Sequence, residues 1–164
     1  MRLTFGFLTY LASTFSLASP THYTQVNVPA ELVGKWTMRE GSGTSYRDSR
    51  TGQISAPNAN TYTYTISTNG RFEHAALLSS SLYQCTMQMF GIETGRVELS
   101  GERITFVDHT AAIKSTDTCR PEWNYEKAGK LSRVQYGWRL DRDKQGRKLI
   151  LIKARGKEDA YYRQ

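Results

Sequence analysis

The segment Tyr62-Thr-Tyr-Thr-Ile66 alternates apolar and polar residues without a break, and it constrains the chain more than any other stretch. Side chains along an extended strand point alternately to opposite faces. Tyr62, Tyr64 and Ile66 therefore share one face, and the threonines share the other. Thr68-Asn69-Gly70 follows as a turn, because Asn and Gly accept the positive φ that tight hairpins need. Arg71 to Leu78 then pairs back as the next strand. A chain that begins this way is committed to an antiparallel sheet with one buried face.

The same grammar repeats. It predicts strands over Leu32 to Arg39, Leu82 to Phe90, Arg96 to Ser100, Glu102 to His109, Leu131 to Leu140, Arg147 to Ala154 and Asp159 to Arg163. Gly91 to Gly95 reads as a turn, Gly101 as a tight corner, and Asp141 to Gly146 as a polar hairpin loop. No long stretch after the N-terminal segment keeps a helical period, and Thr, Tyr, Val and Ile are plentiful. Sequential antiparallel strands with one apolar face close most economically into an up-and-down barrel, which leaves no open edge. The expected fold is thus all-β, an antiparallel up-and-down β-barrel of eight to nine strands. Gly41 to Asn60 and Ser115 to Gly129 do not read as strands; loops as long as the first are commonly functional.

Residues 1–18 carry Arg2 as their only charge, then an apolar run from Leu3 to Leu17, with Ser16 and Ala18 placed for cleavage after Ala18. This is the layout of a secretory signal peptide, too short and too diluted by Ser13, Thr14 and Ser16 for a spanning helix. Residues 19–164 are then expected to form a single domain, secreted or periplasmic, with no stable membrane anchor after cleavage. Cys85 and Cys119 both lie in the exported part, and two cysteines in an oxidising compartment are most simply read as one disulfide. They lack histidines at ligand spacing, so no metal site is expected.

The net charge of +7 is unevenly spread. From Arg120 to Gln164 there are 13 Lys and Arg against 6 Asp and Glu, whereas Ser19 to Cys119 holds 8 against 9. A basic face can attract nucleic acid or anionic surfaces. Here the cations alternate with acids, as in Arg139, Asp141, Arg142, Asp143 and Lys144. That alternation reads as a solvated outer face, and no nucleic-acid partner is expected.

Gly34-Lys35-Trp36 stands at the start of the first strand of this exported meander. A Gly-x-Trp in that position resembles the lipocalins and the wider calycin superfamily. The resemblance implies that the tryptophan closes one end of the barrel and that an arginine near the last strand packs over its ring; by position this is Arg163, with Arg155 as the second choice. The chain lacks the Asn/Asp-Tyr-x-x-x-Tyr motif and the C-terminal helix of that group.

A barrel of this size is filled by side chains or holds one small ligand. The inward candidates for a ligand-binding site are Tyr62, Tyr64, Phe72, His74, Met87, Phe106, Tyr136 and Trp138, aromatic groups with a few polar atoms. No Gly-x-Ser-x-Gly turn and no recognisable acid–base pair of carboxylates is present, so no catalytic residue and no cofactor is expected. The first expectation is a monomeric, non-catalytic binder of a small hydrophobic or amphipathic molecule, with Gly41 to Asn60 as a lid. The alternative is a protein-binding module, such as a calycin-like inhibitor of an extracellular protease or other hydrolase, working through Ser19 to Ala30 with the long loops.

Overall fold

A computed structural model describes residues 28–41, 46–47, 49–52, 54–55, 58–82 and 85–164. Among them run β1 (Gly34–Glu40), β2 (Tyr46–Arg47), β3 (Ile54–Ser55), β4 (Ala59–Ile66), β5 (Arg71–Leu82) and β6 (Cys85–Ser100). There follow β7 (Arg103–Asp117), β8 (Tyr125–Ala128), β9 (Arg133–Asp143), β10 (Gly146–Ile152) and β11 (Glu158–Arg163). A single 3-10 turn, Pro121–Trp123, precedes β8. The expected signal peptide and most of the Ser19 to Ala30 surface fall outside the described residues, as do eight residues of the expected lid, in which β2 and β3 form a short hairpin.

Nine strands form one antiparallel sheet in the order β6-β5-β4-β1-β11-β10-β9-β7-β8, and β6 pairs with β7 as well. That extra pairing closes eight of them into a sequential ring. Its inner face follows from the alternation seen in the sequence. Trp36 opposes Tyr64, Tyr64 opposes His74, and His74 opposes Glu93, so all four point inward. Thr37 and Thr63 meet outside, their hydroxyls 3.2 Å apart. The fully buried side chains are Trp36, Leu32, Ile66, Ile104, Leu149, Leu151 and Val97, a core running along the ring's axis.

The turn at Ser67 to Arg71 forms as its residues require: Gly70 has φ 77°, and the Arg71 N–H donates to the Asn69 side chain at 3.1 Å. Gly91 to Gly95 is a correction. It is continuous strand within β6, with a register shift between Thr94 and Gly95. The glycines read as turn punctuation because both features favour a missing Cβ. Here Gly95 instead lets the β7 backbone approach; a Cβ there would run into the Val107 carbonyl and lie 2.9 Å from the Phe72 ring. Ser115 to Gly129 is likewise not irregular throughout, since it contains the end of β7, the 3-10 turn and β8. The Asp141 to Gly146 loop is tighter than expected, with β9 running to Asp143 and β10 resuming at Gly146.

The closure is strongly staggered. The lower half of β7, Arg103 to Val107, pairs with β9, while Ala112 to Ser115 in its upper half pair with β8. Upper β5, β6 and β7 therefore run on beyond the last pairing with β9, flanked by β4 as far as Ser79 on one side and by β8 on the other. Between Gly91 and Cys85 this extension is roughly 20 Å long at the usual rise per residue. The Cys85–Cys119 disulfide lies at its far end and ties β6 to the segment leading into the 3-10 turn. A disulfide fits an oxidising compartment, extracellular or periplasmic.

Several charges of the basic C-terminal third are paired on the outer face. Arg139 donates two bonds to Glu158 at 2.7 and 2.8 Å, and Lys148 lies within 3.4 Å of both Asp141 and Asp143.

Candidate ligand-binding site

Trp36, at the end of the ring away from the extension, is fully buried, and its indole N–H donates to the Leu32 carbonyl at 2.9 Å. Arg163 is its register partner on β11, with the guanidinium carbon 5.6 Å from the ring centroid. The same guanidinium donates to the Val33 carbonyl at 3.0 Å. Gly34 has φ 141°, and a Cβ at that position would lie 3.4 Å from the Arg163 guanidinium. Gly34, Trp36 and Arg163 therefore form one packed corner.

Of the interior candidates, Tyr64, Phe72 and Phe106 are buried in the core, and Tyr62, Tyr136 and Trp138 pack against it. Their rings meet one another. Tyr64 stacks on Phe106 with centroids 4.5 Å apart and on His74 at 4.3 Å, and Phe72 meets Phe106 edge-on at 4.9 Å. Tyr161, absent from the sequence-based set, joins this group against Tyr64 at 5.3 Å. His74 Nδ1 lies 2.9 Å from Glu93 Oε2. A carboxylate only accepts, so Nδ1 carries the proton in that bond.

Burial raises the Tyr64 hydroxyl well above its ordinary value, and neighbouring Tyr136 and Tyr161 add to this. Burial also raises Tyr136, partly offset by Lys153, and raises Tyr161, with Asp159 adding to the effect. These phenols are hydrogen-bonding groups, held neutral, and are poor nucleophiles. Lys153 and Asp159 form an ion pair facing them, and the hydrogen bond to Asp159 raises Lys153.

An alkaline titration follows from these shifts. A tyrosine whose folded value is raised stays protonated while the unfolded chain ionises, so its contribution to stability is complete below about pH 10 and is lost as pH rises beyond it. Tyrosinate absorbance should therefore rise in two waves, exposed phenols first and the buried three only with loss of the far-UV circular dichroism signal. A single wave near pH 10 in a folded protein would contradict the burial described.

Met87 is elsewhere. It lies on the extension, 48% exposed, on the same face of β6 as Met89, Gly91 and Glu93. Register continues that inner face across the sheet: Met89 opposes Leu78 and Ser115, and Ser115 opposes Tyr125. Met87, Met89, Trp123 and Tyr125 line a cleft of about 530 Å³ together with Ser115, Asp117, Glu122 and Asn124. The cleft's turn is internally braced, because Asp117 Oδ1 accepts from the Cys119 and Arg120 N–H groups at 2.8 and 3.0 Å. The Asn124 side chain in turn accepts from the Asp117 N–H at 2.6 Å.

Leu82, Met87, Met89, Trp123, Tyr125 and Val134 make up most of the exposed large hydrophobics, and Leu77 and Phe90 form a smaller pair on the outer face. Met89 was within reach of the sequence, since Met87-Gln88-Met89 places both methionines on one face. Trp123 and Tyr125 were hidden in a segment that lacks strand alternation, with the spacing of two aromatics in Trp123-Asn-Tyr125 as the available signal. Among the described residues, no three His, Cys, Asp or Glu side chains converge to hold a metal ion.

No family model, no curated protein and no solved structure matches this chain.

Proposed function

We propose that the protein is an exported, lipocalin-like, non-catalytic binding protein that holds a small amphipathic molecule against the inner face of the sheet extension. The observation that carries this reading is the concentration of exposed apolar side chains on that face, around the Met87, Met89, Trp123 and Tyr125 cleft. Monomeric proteins expose such patches chiefly where something binds. The cleft's volume is within the range of small-molecule sites, and thioether and aromatic walls adapt to varied apolar shapes. The lipocalin likeness is supported by the sequential eight-stranded ring and by the packed corner of Gly34, Trp36 and Arg163. Export is supported by the N-terminal residues and by the disulfide. The ring's own aromatics pack on one another, which favours the extension over the interior as the place where a ligand meets the protein.

Native mass spectrometry of the protein purified from its own host tests the reading. The expected spectrum holds a fraction of the protein with one bound small molecule, released on mild activation. A stoichiometric protein partner retained in place of a small molecule would overturn this reading in favour of a protein-binding module.

A further inference from the structure

We infer that the ligand of this cleft is a cationic amphiphile, an alkyl or aryl body bearing an ammonium group; the inference rests on the binding role proposed above. The chain is basic overall, yet the cleft lining includes two carboxylates, Asp117 and Glu122, and no cation. On the same inner face stand Glu93, further down, Glu40, level with Met89 in the register, and Asp159, with Lys153 paired to it. The sign of the inner surface thus opposes that of the molecule as a whole.

Two cations approach the cleft without lining it. Arg120 lies over the Trp123 ring at 4.2 Å and Lys127 over the Tyr125 ring at 4.8 Å. These contacts show that both rings attract a cation, while the two side chains that supply it stay outside the cleft lining. The charged side chains of the lining itself are both acidic, Asp117 and Glu122, and they disfavour an anionic headgroup there. Met87 and Met89 supply the soft apolar wall for the ligand's body.

Calorimetric titration with decyltrimethylammonium, decanoate and decyl maltoside tests this, each below its critical micelle concentration and at low ionic strength. Two partly exposed charge contacts together amount to about tenfold in affinity. The ammonium compound is expected to bind about tenfold tighter than the maltoside, with decanoate weakest, and added salt should erode that order. The double variant Asp117→Asn, Glu122→Gln should bring the ammonium compound level with the maltoside. Asn keeps the side-chain oxygen that accepts from Cys119 and Arg120, and Glu122→Gln alone leaves that turn untouched should the double variant fold poorly. Equal or tighter binding of decanoate, or an unchanged preference in a folded variant, would overturn the charge assignment and leave the binding role standing. Failure of all three compounds to bind would overturn both.

Discussion

Trp36→Ala should lose roughly 3–5 kcal/mol of folding stability, the range for truncating a large buried aromatic. Three losses coincide at this position. The indole is fully buried, its N–H is the donor to the Leu32 carbonyl, and its face supports Arg163. Removing it opens a cavity at one end of the ring, orphans a buried acceptor and leaves the guanidinium over empty space. Urea denaturation followed by circular dichroism measures the effect. Because this corner is at the end of the ring remote from the extension, the folded variant should bind its ligand with unchanged affinity. A loss below about 1 kcal/mol would mean that the ring closes without its plug, contrary to the range expected for a buried aromatic.

The second large effect is expected from removing the disulfide. Cys85 and Cys119 are separated by 34 residues, and closing a loop of that length restricts the unfolded chain by about 3–4 kcal/mol. Replacing both cysteines with serine should lower stability by about that amount. It should also weaken ligand binding more than Trp36→Ala does, because the bridge anchors the strand bearing Met87 to the segment bearing Trp123. Denaturation and ligand titration of the same variant separate the two consequences. Full affinity in the folded double-serine protein would show that the braced turn around Asp117 holds Trp123 and Tyr125 in place by itself.

The fold was legible where local chemistry decides it. Tyr62 to Ile66 alternates because one face is buried, and Asn69-Gly70 turns because its backbone must; both statements need only neighbouring residues. Gly91 and Gly95 misled because a glycine that allows a turn also allows a close backbone approach. Only the position of Val107, distant in sequence, distinguishes the two. The inward set was read well for composition and less well for role. Alternation identifies a face, but the stagger of the ring determines whether that face is packed core, as for Tyr64 and Phe106, or an open cleft, as for Met87. Trp123 and Tyr125 join the cleft through a disulfide and a turn braced by Asp117 and Asn124, which leave no periodic trace.

Methionine methyl NMR tests the location of the site most directly. Met38 points into the ring interior, whereas Met87 and Met89 stand in the cleft. On titration with decyltrimethylammonium, the Met87 and Met89 methyl resonances should shift together and saturate, while Met38 stays in place. A saturating shift of Met38 with Met87 and Met89 unmoved would put the ligand inside the ring and contradict the assignment of the extension as the binding surface.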